Sequence, residues 1–157
     1  VRRSRTKRRF LIAAVALAVG LGVVGVLGVR TGVTRASGGG YDLEVRYASI
    51  TRPGLATVLD IQVRHPGGFD GPVTVAVDSA YLDLFDENSV DPDPSEATSD
   101  DRWVIWTFAP PPGDVLAVSF DARIEPGVQL AGGRGAVEVR EGGRAVATAR
   151  FTTLVLP

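Results

Sequence analysis

Cysteine and methionine are absent from the 157 residues, and histidine, lysine and asparagine occur once each, as His65, Lys7 and Asn88. Without cysteine there is no disulfide framework, no thiolate nucleophile, no Cys-based zinc or iron–sulfur site, and no lipidated cysteine of a bacterial lipoprotein. With one histidine, a zinc site of ordinary nitrogen and sulfur ligands cannot be assembled, and a Ser-His-Asp triad would have to recruit His65. That residue opens "HPGG" at 65–68, which reads as a turn. The phosphate-cradling patterns G-x-x-x-x-G-K-S/T and G-x-G-x-x-G are also missing, and "GGRG" at 132–135 and "GGR" at 142–144 read as hairpin glycines. No catalytic constellation is visible, no cofactor is implied, and the expectation is a protein that is not an enzyme.

Acidic residues are missing from the first forty positions, where eight arginines or lysines stand alone. Residues 41–157 hold all eighteen acids against nine arginines, a net charge of −9. That balance disfavours nucleic-acid binding, which rests on neutralising phosphates. Sixteen arginines to one lysine, with abundant Ala, Val and Gly, match a high-GC bacterial genome, and Val1 reads as a GTG initiator.

Residues 1–9, "VRRSRTKRR", carry six positive charges, and residues 10–29, "FLIAAVALAVGLGVVGVLGV", have no polar side chain. Twenty helical residues at ~1.5 Å each reach ~30 Å, the thickness of a bilayer's hydrocarbon core, which predicts a transmembrane helix over 10–29. The run exceeds the roughly 7 to 15 apolar residues of a signal peptide, and the best cleavage site, "TRA" at 34–36, has an arginine between its recognition positions. An uncleaved signal anchor is therefore expected. The basic flank puts the N-terminus in the cytoplasm and the rest outside. "TKRRFLI" is similar to a twin-arginine signal with Lys7 in place of the first arginine, but the basic flank accounts for it more simply. Ala14, Ala18 and Gly22 repeat every four residues, a face through which two such helices could meet in a weak homo-oligomer. Residues 30–40, "RTGVTRASGGG", have the composition of a short flexible linker.

From Tyr41 the hydrophobic period becomes two. The run 114–125 is clearest, with Leu116, Val118, Phe120, Ala122 and Ile124 alternating with polar or small residues. Similar runs occupy 41–50, 55–65, 72–78, 102–108, 135–141 and 144–155, with Gly- and Pro-containing turns between most of them. Seven short strands without a helical period predict an all-β, seven-stranded antiparallel sandwich of immunoglobulin or fibronectin III kind over 41–157.

Two stretches invite a functional reading. Between Asp83 and Asp101 stand eight carboxylates, interrupted by Pro92 and Pro94. They can form a solvated loop, a surface for a basic partner, or a calcium site, although Val90 and Asp91 break the EF-hand pattern that Asp86 and Asn88 would begin. In "RWVIWTF", Trp103 and Ile105 share one face of a strand while Val104, Trp106 and Phe108 share the other. One face belongs to the core; the Trp103/Ile105 face is either covered by the acidic connector or a neighbouring loop, or left bare to meet a partner or lipid headgroups.

The segments "YLDLFDEN", "WVIWTFAPPPGD", "LAVSFDARIEPGVQ" and "FTTLVLP" resemble those of uncharacterised single-pass membrane proteins of actinobacteria with an immunoglobulin-like extracytoplasmic domain. The resemblance covers most of 41–157 and implies a topology without an activity or functional residues. The functional expectation is a membrane-anchored interaction module, an accessory subunit of another membrane or envelope protein. The alternative is a calcium- or ligand-binding sandwich using the 83–101 connector.

Overall fold

The computed structural model describes residues 10–17, 19–20, 28–128 and 132–156, apart from the side chains of residues 87 and 88. Residues 10–17 and 19–20 are helical, and Phe10, Leu11, Ile12, Val15, Leu17 and Val19 are exposed. Among the described residues no helix is long and apolar enough to cross a membrane. The expected span over 10–29 is thus not shown as one helix, since its residues 18 and 21–27 lie outside the described residues. Of the small-residue face, Ala14 is helical and exposed, while Ala18 and Gly22 fall outside as well.

Ten strands follow among the described residues: β1 (Arg30–Gly38), β2 (Tyr41–Thr51), β3 (Ala56–Arg64), β4 (Val73–Asp78), β5 (Phe85–Asp91), β6 (Glu96–Ser99), β7 (Trp103–Phe108), β8 (Val115–Ile124), β9 (Gly132–Glu141) and β10 (Arg144–Val155). They form one sheet in the order β5-β8-β3-β2-β10-β9-β4-β7-β6, with β1 also paired to β2. All pairings are antiparallel except β2–β10, a short parallel contact in which Leu154 faces Ile50 and Val155 faces Thr51. The sheet curls about this seam so that its halves meet face to face in a sandwich-like arrangement, with Trp106 of β7 5.9 Å from Phe120 of β8 between ring centroids.

The seven alternating segments are all strands. Their inward residues Leu43, Val45, Leu59, Ile61, Val63, Val75, Val77, Val118, Val137 and Val139 are each at most 2% exposed. Among the described residues of 41–157 the expected seven strands are corrected to nine by β5 and β6, and β1 adds a tenth before Tyr41.

Strand β1 overturns the flexible linker expected at 30–40. It pairs with β2 from Arg30 opposite Ile50 to Gly38 opposite Tyr41. Its inward positions, Gly32, Thr34, Ala36 and Gly38, are small for a reason: a Cβ on Gly32 would lie 2.7 Å from the Tyr47 ring, and one on Gly38 would strike the Val146 carbonyl. Gly39 and Gly40, with φ of 60° and 83°, make the two-residue hairpin loop whose primed turn needs positive φ at both positions. Gly142 and Gly143, at 55° and 79°, make the same turn between β9 and β10, as expected for "GGR". The "GGRG" glycines differ from that expectation. They lie inside β9, where a Cβ on Gly135 would come within 2.5 Å of Phe151 and one on Gly133 would strike Leu84.

Between β4 and β5 the chain makes one helical turn, Ser79–Leu82, capped by the Asp78 carboxylate, which accepts from the Tyr81 N–H. Tyr81 is 1% exposed and edge-on to Phe85 and Phe151. Its hydroxyl donates to Thr153 Oγ1 at 2.9 Å, and the Thr153 hydroxyl donates to the Ala48 carbonyl at 2.6 Å. This chain of hydroxyls ties the connector to β10 and β2. Burial pushes the Tyr81 phenol up to about 12, with the Thr153 hydrogen bond opposing the shift.

Candidate functional site: an arginine-lined cleft beside a clamped tryptophan

The face of β7 opposite the core carries Trp103. It lies over two small residues of neighbouring strands, Ala76 of β4 and Ala136 of β9, with Ile105 beside it. Large side chains at 76 or 136 would leave no room for the indole. Its position along the chain is set by Asp100, whose carboxylate accepts the backbone N–H groups of Arg102 and Trp103 at 2.8 and 2.7 Å. Those two hydrogen bonds, followed by the nearby positive charges of Arg140 and Arg102, lower the Asp100 pKa below its ordinary value.

The guanidinium groups of Arg102 and Arg140 each lie 5.0 Å from the Trp103 ring centroid. A cation held against an aromatic face is attracted to the ring's negative quadrupole. Arg140 is fixed further by Glu138, 2.9 Å away, with both side chains largely buried. Trp103 is consequently 8% exposed and Trp106, in the main core, is 5% exposed. The bare Trp103/Ile105 patch is thereby corrected. Two arginines lie against the ring.

Adjoining this clamp, Asp78, Arg102, Arg134, Gly135, Ala136, Arg150, Phe151 and Thr152 line a shallow cleft of about 330 Å³. The sheet register creates it. Arg134 stands opposite Thr152 and Arg150 opposite Ala136 on the antiparallel pair β9–β10, while Asp78 of β4 stands opposite Trp103 of β7. Three guanidinium groups thus meet one carboxylate, on a domain whose overall charge is negative. Among the described residues Arg134 and Arg150 have no carboxylate partner, and the Asp78 carboxylate is engaged as a helix cap. Such an arrangement suits multidentate hydrogen bonding to an external carboxylate or phosphate.

The acidic connector is not the simple loop that its composition suggests. Residues 85–91 form β5 on the β8 edge, and residues 96–99 form β6 on the β7 edge, so its carboxylates are divided between the two ends of the sheet. Among the described residues no group of three or more potential ligands could hold a metal ion. His65 sits in the expected turn: Nδ1 lies 2.5 Å from the Gly68 carbonyl, and the ring packs between Tyr41 and Phe69 at 4.6 and 5.9 Å.

None of the cleft arginines stood out beforehand. Residues 102, 134 and 150 are far apart in sequence, and each is only one outward position of an alternating strand or its approach. An outward arginine on adjacent strands was the available signal, but strand register is needed to bring the three together. No family model and no curated protein gives a match to the chain.

Proposed function

We propose that this protein is a membrane-anchored, non-catalytic extracytoplasmic interaction module, an accessory subunit that meets another membrane or envelope protein within the same bilayer. The immunoglobulin-like reading belongs here too: β3 pairs β8, β4 pairs β9, and the first long strand runs parallel to the last, as in sandwiches of that kind.

One observation carries the proposal. The sheet begins at Arg30, immediately after the apolar run 10–29, because the segment that composition suggested as a linker is strand β1. A sandwich attached without a free linker stays at the surface of the bilayer that holds residues 10–29, which restricts its partners to that surface. The exposed side chains of Phe10, Leu11, Ile12, Val15, Leu17 and Val19 and the six positive charges preceding them support the anchoring and its direction.

The test is affinity purification of the full chain from native membranes through a tag after Pro157, beside a variant with a twelve-residue Gly/Ser insertion between Val29 and Arg30. A specific membrane-resident partner is expected with the native chain, and reduced recovery is expected with the insertion. Recovery of no specific partner would overturn the accessory-subunit reading. Among the described residues no group of three or more potential ligands favours the calcium alternative.

A further inference from the structure

We propose that the end of the sandwich next to Arg30 rests on an anionic lipid surface, with Arg134 and Arg150 engaging headgroup phosphates. The inference rests on the membrane-anchoring reading above and adds the orientation of the domain and the chemistry of the surface it meets.

Register locates the cleft at the anchored end. Arg30 stands opposite Ile50, Ile50 beside Leu154, and Leu154 opposite Gly132, so these four residues form one row across the sheet. Arg134 lies two residues in from that row and Arg150 four residues in. At ~3.3 Å per residue these are roughly 7 and 13 Å along the strands, and the long arginine side chains shorten the remaining gap. Arg134 therefore stands within about one Debye length of a surface at that row, where attraction to anionic lipid remains strong at physiological salt.

Exposed aliphatic residues give a second, independent indication. Outside residues 10–19, the exposed large hydrophobics among the described residues are Val29, Val33, Leu55 and Leu154. Leu154 belongs to the row itself, Val29 precedes Arg30, and Leu55 lies in the turn where Gly54 N–H donates to the Ile124 carbonyl at the same end of β8. Val33 is three residues into β1 from Arg30 and points outward. Aliphatic groups interspersed with arginines are the composition of a protein surface seated at the headgroup boundary. A small free anion would use the arginines and leave the aliphatic groups unexplained.

Carboxylates at this end fix the tilt. Asp83, Asp86 and Glu125 lie on the β5–β8 side, around the pairing of Phe85 with Ile124, and Asp78, Asp100 and Asp101 lie on the β4–β7 side, with β9 and β10 between the two groups. The arginines lie on the β9–β10 side, so the domain leans with β9 and β10 toward the lipid.

The experiment uses the full chain reconstituted into three preparations: phosphatidylcholine vesicles, vesicles containing one-third phosphatidylglycerol, and phosphatidylcholine vesicles with inorganic phosphate in the buffer. Phenylglyoxal modification of Arg134 and Arg150 is followed by mass spectrometry, with the exposed Arg144 at the opposite hairpin as an internal reference. Anionic vesicles should slow modification of Arg134 and Arg150 roughly fivefold or more relative to Arg144, since an arginine near such a surface gains about that factor. Equal rates in all three preparations would overturn the proposal. Equal protection by inorganic phosphate in neutral vesicles would overturn the lipid assignment in favour of a small-anion pocket. Flotation separates the two readings: a chain that floats with no vesicle refutes the anchor, whereas one that floats with all vesicles but shows unprotected arginines refutes only the lipid contact.

Discussion

The two halves of the curled sheet use arginine differently on their outer sides. On the β2–β3–β8 side three arginines are answered within the domain. Arg46 meets Asp60 at 2.7 Å, Arg35 meets Glu44 at 2.7 Å, Arg64 meets Asp114 at 3.0 Å, and Ser119 adds a hydrogen bond to Asp60 at 2.8 Å. On the β9–β10 side Arg134 and Arg150 find no carboxylate among the described residues, and Arg102 and Arg140 are held on Trp103. Exposed ion pairs contribute only about 0 to 1 kcal/mol, so folding stability does not require the closed arrangement and would not be damaged by the open one. The difference concerns what each face offers to its surroundings. One side pairs three of its arginines with carboxylates, and the other leaves Arg134 and Arg150 without a carboxylate among the described residues.

Removing Trp103 breaks the comparison most severely. Trp103→Ala opens a space over Ala76 and Ala136 and removes the ring that holds Arg102 and Arg140. The loss should be about 3 kcal/mol, in the range of large-to-small changes at buried aromatics. Urea unfolding of the full chain in detergent micelles measures it. A loss below about 1 kcal/mol would show that the indole is a surface feature and that the arginine clamp contributes little to the β7–β4–β9 face.

How far the sequence disclosed these two faces depends on the kind of signal each element carries. Strands β2, β3, β4, β7, β8, β9 and β10 place apolar residues inward at alternate positions over most of their length, so periodicity reveals them with boundaries close to those observed. Strand β1 hides because its inward residues must be small beside Tyr47 and Val146. Its clue is the Gly39–Gly40 pair, chemically the twin of the Gly142–Gly143 pair that predicts a hairpin. Strand β5 hides behind a register shift between Asp86 and Ser89, and all four residues of β6 are exposed. Both therefore looked like an acidic connector. The cleft depends on register between strands, which no single strand's pattern contains.

The link between the halves can be tested at Tyr81, whose hydroxyl reaches β10 and β2 through Thr153. Its phenol is raised from 10.0 to about 12, so the folded state holds this proton more tightly than the unfolded chain does. The associated stability is fully present below pH 10 and is lost as pH rises toward about 12, amounting to about 2 to 3 kcal/mol across that window. Tyr81→Phe should cost about 1 kcal/mol at pH 8 through the missing hydrogen bond. It should also make stability fall less steeply than in the native protein above pH 10. Parallel pH profiles from thermal melts of the two proteins would refute the assigned burial effect.

The smallest effects give the sharpest test of the contrast itself. Arg46→Gln removes the partner of Asp60, an exposed pair, and should cost below about 1 kcal/mol at low salt, shrinking as ionic strength rises. Arg150→Gln removes no internal ion pair and relieves repulsion from Arg134 and Arg102 in the cleft, so stability should stay level or rise by a few tenths of a kcal/mol, also in a salt-dependent way. The opposite signs at low salt are the decisive feature, because both substitutions delete the same charge from the same kind of outward strand position. Equal losses for the two would mean that Arg150 already has an effective partner within the chain. A gain at Arg150 beside a loss at Arg46 would mean that folding tolerates the open charge and that its use lies in what the β9–β10 face meets.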